Sequence, residues 1–286
     1  MIYITHGTVP SWSSERISHA LFLPESQVDR HLRLRRKKYV PLWQALQGRG
    51  DALTIDDATY GALDLALAAR RHGHAVSWFV NGSNIEDRLQ YYPFQVSSML
   101  DNTRARTCRF DGATWNLPDM AARRALRLRI KETYMKMRSQ EQIDSLIARL
   151  ASSLHVDPSA MEKSLSTVTP AEIAVAAMAG VELQNHSWNH INPQAISEPE
   201  RTAQVIRNEE YLSQFRKAVT RVFAPPFGRE VSLASAPADY VLLANRGLHS
   251  SHRSGNLANR GDLQLNASTR TATPKVRPCG KSRIAA

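Results

Sequence analysis

Cysteine is almost absent from this 286-residue chain: Cys108 and Cys279 are the only two, and they lie far apart in the sequence. That excludes a disulfide framework and a cysteine-based metal site. No apolar run approaches the roughly 18 residues that cross a bilayer. The opening stretch Met1–Trp12 has neither the basic nor the apolar region of a secretory signal, so a cytoplasmic protein is expected. Internal repeats and low-complexity tracts are also missing. Acid is the scarcer charge, with 26 Asp and Glu against 37 Lys and Arg, for a formal net charge of +11. Hydrophobic residues make up 42% of the chain, enough for a sizeable core, which excludes a wholly disordered protein.

A basic chain invites a nucleic-acid reading, but the excess is local. Arg30–Gly50 holds seven basic residues and no acid, while Arg246–Ala286 holds eight and one acid, Asp262. The rest of the chain is slightly acidic. The run Arg30–Lys38 (RHLRLRRKK) reads better as a basic helix face packed through Leu32 and Leu34 than as a nucleic-acid contact. Residues 271–286 combine Pro, Lys and Arg without an apolar period and are expected to form a mobile basic tail.

Short apolar segments read as buried strands: Met1–Thr5 (MIYIT), Ala52–Ile55 (ALTI) and Ala75–Val80 (AVSWFV). Between the last two, Tyr60–His72 is rich in Ala and Leu and is stopped by Gly73, as a helix would be. The pattern returns with the helix Pro170–Ala179, Gly180 and the strand Val181–Gln184, and again with the helix Glu198–Ala218 and the strand Arg221–Ala224. Strands alternating with helices predict an α/β fold around a parallel sheet. Residues from about 86 to 167 break the rhythm. They contain a polar region with Trp115 and Pro118, then two helices, Asp119–Met137 and Ser139–Leu154, and read as a helical insertion.

Three short motifs follow predicted strands. Thr54-Ile55-Asp56-Asp57 places two carboxylates at a strand end, which is costly to bury without a cation or proton donor. The plainer reading makes Asp57 a cap for the helix near Tyr60. His186-Ser187-Trp188-Asn189-His190 spaces two imidazoles at i and i+4, a spacing that suits a divalent metal and also arises by chance among ten histidines. Phe223–Gly228 (FAPPFG) ends a strand in a turn stiffened by Pro225 and Pro226. Such a turn can aim the Phe227 N–H into a cleft or simply terminate the strand.

Taken together, in this order and each at a strand's carboxyl end, the motifs resemble those of the polysaccharide deacetylases with NodB homology (carbohydrate esterase family 4), exopolysaccharide-type subgroup. Thr54–Ala58 (TIDDA) is similar to the family's TFDDG motif, His186–His190 to HSxxH, and Ala224–Gly228 to the RPPYG-like motif. Ser166–Asn192 and the start Ile4-Thr5-His6 are similar as well, so the resemblance covers about residues 1–270, with 271–286 outside it. It implies a distorted (β/α)7-type barrel carrying the helical insertion. It also implies a metal-dependent hydrolase that removes the N-acetyl group of an amino sugar or glycan, such as one containing N-acetylglucosamine, using metal-activated water. Asp57, His186 and His190 would hold one divalent ion, zinc in the first instance, with cobalt, nickel or iron suiting the same ligands. Asp56 would be the general base and His6 the general acid, in preference to His249 and His252. The Phe227 N–H beside Pro226 would hold the oxyanion, and Trp188 would stack on a sugar face. The pattern departs from the family at Ala58, where Gly is usual, and at Ala224, where an Arg usually holds the catalytic Asp. Rival readings are an amidase acting on a small N-acyl amine or nucleotide-linked sugar, a catalytically silent carbohydrate-binding member of the fold, and a nucleic-acid binder using Arg30–Lys38.

Overall fold

Ala52–Asp56 (ALTID) puts Leu53 and Ile55 on one face and Ala52, Thr54 and Asp56 on the other, and every residue of it is buried, as in a strand covered on both sides. The computed structural model describes residues 2–215, 221–228, 231 and 240–242. In chain order the elements are β1 (Ile2–Thr5), β2 (Thr8–Val9), β3 (Leu23–Pro24), α1 (Glu25–Leu34), α2 (Leu42–Leu46), β4 (Ala52–Asp56), α3 (Tyr60–Arg71) and β5 (Ser77–Val80). They continue with α4 (Gly82–Glu86), α5 (Tyr92–Asn102), β6 (Thr107–Phe110), β7 (Ala113–Asn116), α6 (Met120–Tyr134), α7 (Gln140–Leu154) and α8 (Pro170–Met178). The described chain closes with β8 (Glu182–Asn185), α9 (Glu198–Ser213), β9 (Arg221–Phe223) and β10 (Tyr240–Leu242).

The main sheet runs β1-β4-β5-β8-β9-β10, and every neighbouring pair is parallel. This is the expected α/β fold, a curled parallel sheet of the distorted (β/α) barrel kind. Parallel strands in register bring their carboxyl ends to one edge: Thr5 pairs with Ile55, Asp56 with Phe79, Val80 with Asn185, and Asn185 with Phe223. The core beneath that edge contains Ile55, Trp78, Val80, Leu183 and the Ala-rich face of α3. The small side chains of Ala62, Ala66 and Ala69 let α3 lie close to the sheet.

Between β5 and α8 the insertion forms its own hydrophobic cluster, with Leu100, Leu126, Ile130, Leu146 and Leu154 fully buried. Its two expected helices are present. Asp119 caps α6 by accepting from the Ala122 N–H at 2.9 Å, and Ser139 caps α7 from the Gln142 N–H at 3.3 Å. The polar region around Trp115 proves to be the β6–β7 hairpin. Its two-residue turn, Asp111-Gly112, has φ of 54° and 74°, the left-handed pair that matches hairpin twist. Helix α5 also went unread in the sequence, because Tyr92–Asn102 is buried on nearly every side and shows no amphipathic period. Helix α9 ends at Ser213, with Gln214 as its cap, short of the expected Ala218. The boundary expected at 270, His249, His252 and the tail 271–286 lie outside the described residues. Among the described residues, no helix is long and apolar enough to cross a membrane.

One contact at the front of the chain positions the residues that follow β1. Gly7, at φ 128°, passes so close to α3 that a Cβ there would lie 2.5 Å from the Ala62 nitrogen. A Cβ on Gly61 would lie 2.3 Å from the Thr8 carbonyl oxygen. Two glycines therefore permit a backbone-to-backbone crossing right beside His6. Gly61→Ala is expected to lower stability by about 1–3 kcal/mol through overpacking. The check is chemical denaturation, in which the midpoint should fall with no change in slope.

Candidate metal centre

The three motifs meet at the carboxyl edge of the sheet. Asp57, immediately after β4, and His186 and His190, after β8, are all buried, with one potential ligand atom from each lying within 4.8 Å of the others. The Asp57 Oδ1 is 3.2 Å from the His190 Nε2 and 3.6 Å from the His186 Nε2. Asp56, the last residue of β4, is buried beside them, so the adjacent carboxylates do enter one site. His6 is brought in by β1, with its Nε2 4.0 Å from the Asp57 Oδ2 and its ring edge-on to Phe94.

Backbone geometry at the site departs from ordinary strand and helix values. Asp57, Ser187 and Phe227 have φ of 68°, 76° and 61°, so each motif carries one non-glycine residue in the left-handed region. Such residues cost on the order of 1–3 kcal/mol each and persist where surrounding bonds over-determine them. Here the bonds are visible. The Trp78 indole N–H donates to the Asp57 carbonyl at 2.8 Å, and the Ala58 N–H donates to the Tyr91 hydroxyl at 2.7 Å. That hydroxyl donates in turn to the Asn81 Oδ1 at 3.0 Å, while the Asn81 amide donates to the carbonyls of His186 and Ser187 at 2.5 and 3.1 Å. Burial, and behind it the Asp57 charge, pushes the Tyr91 hydroxyl far above its usual pKa, so it remains a proton donor. Asn185 receives the Ser187 N–H at 2.9 Å, and Asn208 links the Val80 carbonyl, the Asn185 Oδ1 and the Gly82 N–H. This buried amide network ties the first motif to the second.

The third motif supplies two things. The Ala224 carbonyl accepts from the His186 Nδ1 at 2.6 Å, which leaves the Nε2 as the ring's lone-pair nitrogen, facing Asp57. The Phe227 ring packs edge-on against His190 at 4.7 Å and stacks on Tyr134 of α6 at 6.1 Å. Tyr92 of α5 donates to the His190 carbonyl at 2.6 Å and contacts Tyr134. The insertion thus forms the wall behind His190.

The residues present fit a divalent cation. Asp57 Oδ1 and His190 Nδ1 are buried with no hydrogen-bond partner. Burial, and then the neighbouring charge of Asp56, pushes the Asp57 carboxyl well above the usual carboxylate range. Burial, with the charges of His186 and His6, holds His190 well below the usual imidazole range. Burial thus disfavours both an anionic Asp57 and a cationic His190, and two imidazoles with one carboxylate are a zinc-type donor set.

Trp188, expected to stack on sugar, is placed differently. It is 7% exposed and sits against Gly82 and Tyr211, with the Arg207 guanidinium 3.8 Å from its ring centre. Its Ser83-bonded carbonyl and buried ring support the second motif from behind. Asn81, Tyr91, Tyr92, Tyr134 and Asn208 were not anticipated; a polar amide directly after the apolar strand Ser77–Val80 was the one available signal.

A family model for polysaccharide deacetylases matches residues 47–240, well over half of the chain. The chain belongs to the polysaccharide deacetylase family. Membership assigns this family member the deacetylation of a carbohydrate. Its matched span includes all three motifs but leaves out β1 and His6. Among solved structures, the deacetylase is similar to the Streptococcus pyogenes deacetylase PplD in complex with acetate, at 12% identity and a TM-score of 0.47. That alignment covers 81% of this chain and 75% of the other. No curated protein matches the sequence.

Two substitutions test the centre in this polysaccharide deacetylase. Asp57→Asn removes the unneutralised carboxyl, so the metal-free protein should melt no lower than wild type. Its stabilisation by added zinc, about 2.7 kcal/mol at a hundredfold excess over Kd for the wild type, should vanish. Tyr91→Phe should weaken zinc binding roughly 10–100-fold through the second motif, without removing any ligand. Calorimetric titration with zinc reads both.

Proposed function

We propose that the chain is a metal-dependent N-deacetylase that hydrolyses the acetamide of an N-acetylated amino sugar or glycan. The observation that carries this reading is the convergence of Asp57, His186 and His190 in one buried cluster, with Asp56 adjoining it. Asp57 and the two imidazole Nε2 atoms would hold the ion, zinc by ligand type. When bound, such an ion polarises the acetamide carbonyl and acidifies water.

The remaining steps belong to the protein. Asp56 takes a proton from the attacking water as general base. The Phe227 N–H, in the turn fixed by Pro225 and Pro226, donates to the oxyanion that develops as the carbonyl carbon becomes tetrahedral, a bond worth about 3 kcal/mol in such sites. His6, as imidazolium, donates its proton to the sugar nitrogen while the C–N bond breaks. Acetate and a free amino sugar leave, and His6 regains the proton held by Asp56 directly or through solvent. Asp56 comes from the end of β4 and His6 from the end of β1, so base and acid reach the cluster from neighbouring strands. The aromatic wall of buried Tyr92 and Tyr134 and half-buried Phe227 limits water on the His190 side.

The test is amine release from an N-acetylated glucosamine oligomer. Chelation should abolish turnover, and added zinc or cobalt should restore it. Asp56→Asn should lower kcat about 100- to 10,000-fold while zinc binding persists. Turnover that survives metal removal, or that is retained in Asp56→Asn, contradicts the mechanism. Zinc binding with sugar affinity but no turnover in the wild type would instead indicate a silent carbohydrate-binding member.

A further inference from the structure

The basic run after Asp29 is not consumed by packing. Val28 and Leu32 form the buried face of α1, and Arg35 is engaged by Asp51 and by the rings of Tyr39 and Tyr3. Arg30, Arg33, Arg36, Lys37 and Lys38 are all exposed, and none makes an ion pair or side-chain hydrogen bond with another described residue. Elsewhere on the molecule, Arg16, Arg70, Arg123, Arg124, Arg129 and Arg201 are each bonded to the protein. Of the nearby acids, Asp51 is engaged by Arg35, and Asp29, joined to His72 at 2.9 Å, also feels the charge of Arg33, which leaves the patch strongly basic. Among these cations stands Leu34, 61% exposed, at the end of α1.

The patch has a defined place on the fold. Tyr39, which follows it, donates its N–H to the His74 Nδ1 at 3.0 Å and accepts from the Ala75 N–H at 3.0 Å. The Val40 N–H donates to the Asp51 carbonyl at 2.8 Å. These residues enter β4 and β5, whereas Asp57 and Asn81 leave them. The rise from Asp51 to Asp57 is roughly 20 Å at strand geometry, so the cations lie at the pole opposite the metal centre. They cannot hold the reacting end of a substrate.

We propose that this pole docks the protein on an anionic lipid surface, leaving the carboxyl edge of the sheet and its site facing away from the bilayer. Clustered cations are drawn to acidic headgroups, and one protruding leucine adds apolar contact at the acyl boundary. Single-stranded nucleic acid is disfavoured because the patch offers no stacking platform: Tyr39 is buried beneath Arg35. The inference does not depend on the proposed chemistry.

Co-sedimentation of the full chain with phosphatidylcholine vesicles, with and without phosphatidylserine, tests it. The wild type should partition onto the phosphatidylserine vesicles and be released by salt. The double substitution Arg33→Glu/Lys37→Glu should lower partitioning roughly tenfold or more. Leu34→Ser should lower it a few-fold with the salt dependence unchanged. Both variants alter exposed positions, and equal thermal melts with equal zinc binding establish that the fold is intact. Equal binding to vesicles lacking phosphatidylserine, no sedimentation, or undiminished binding by the charge-reversed protein overturns the proposal. Preferential capture by duplex DNA, insensitive to Leu34→Ser, also overturns it and assigns the patch to nucleic acid.

Discussion

The arrangement depends on a carboxylate buried deep among imidazoles. Asp57 lies beside His190, whose imidazole burial holds well below its usual range, with His186 and a second carboxylate, Asp56, close by. Leaving a charge in such a place is among the most unfavourable things a fold can do, and the usual escape is protonation or a cation. Three loops adopt left-handed backbone to assemble this cluster, and a set of buried amides and hydroxyls holds them there. Tyr91, Asn81, Asn185 and Asn208 bond to one another and to loop backbone, and so keep an electrostatically tense cluster assembled.

The insertion belongs to that same construction. Tyr92 bonds the His190 carbonyl, and Tyr134 backs the Phe227 ring that in turn packs on His190. One of the three side chains of the candidate metal centre thus has its orientation set by helices outside the parallel sheet. Tyr91, at the start of α5, also bonds the Ala58 N–H and Asn81, so α5 supports the loops of Asp57 and His186 as well, together with Trp78 and Ala224.

Much of this was legible in the sequence. Five of the six strands of the main sheet could be placed to within a residue or two, because their short runs are largely apolar and the intervening helices carry Ala-rich faces and glycine stops; β10 was not among them. The clustering of Asp57, His186 and His190 was legible because they lie in short local motifs at strand ends. What stayed hidden arises from contacts across long sequence separations. Nothing near Asn208 hints that it will bridge Val80, Gly82 and Asn185, and Tyr91 reveals its role only once α5 packs beneath two loops. Trp188 shows the converse: adjacency to a ligand in sequence suggested a binding face, yet the alternation of the loop turned the ring into the core. The hairpin at Asp111-Gly112 carried a known turn signal inside a stretch too polar to look like strands.

The crossing of Gly7 over Gly61 has a consequence for how the molecule fluctuates. Within the described sheet β1 has a single neighbour, β4, and the chain after it crosses α3 backbone to backbone, with the Thr8 hydroxyl donating to the Gly61 carbonyl at 3.4 Å. Edge strands of this sort open at lower free energy than central ones. His6 follows that edge strand, whereas Asp57, His186 and His190 follow interior strands. Excursions of β1 would carry His6 away while the other three side chains stay together, so the two parts of the candidate site can separate without the sheet coming apart.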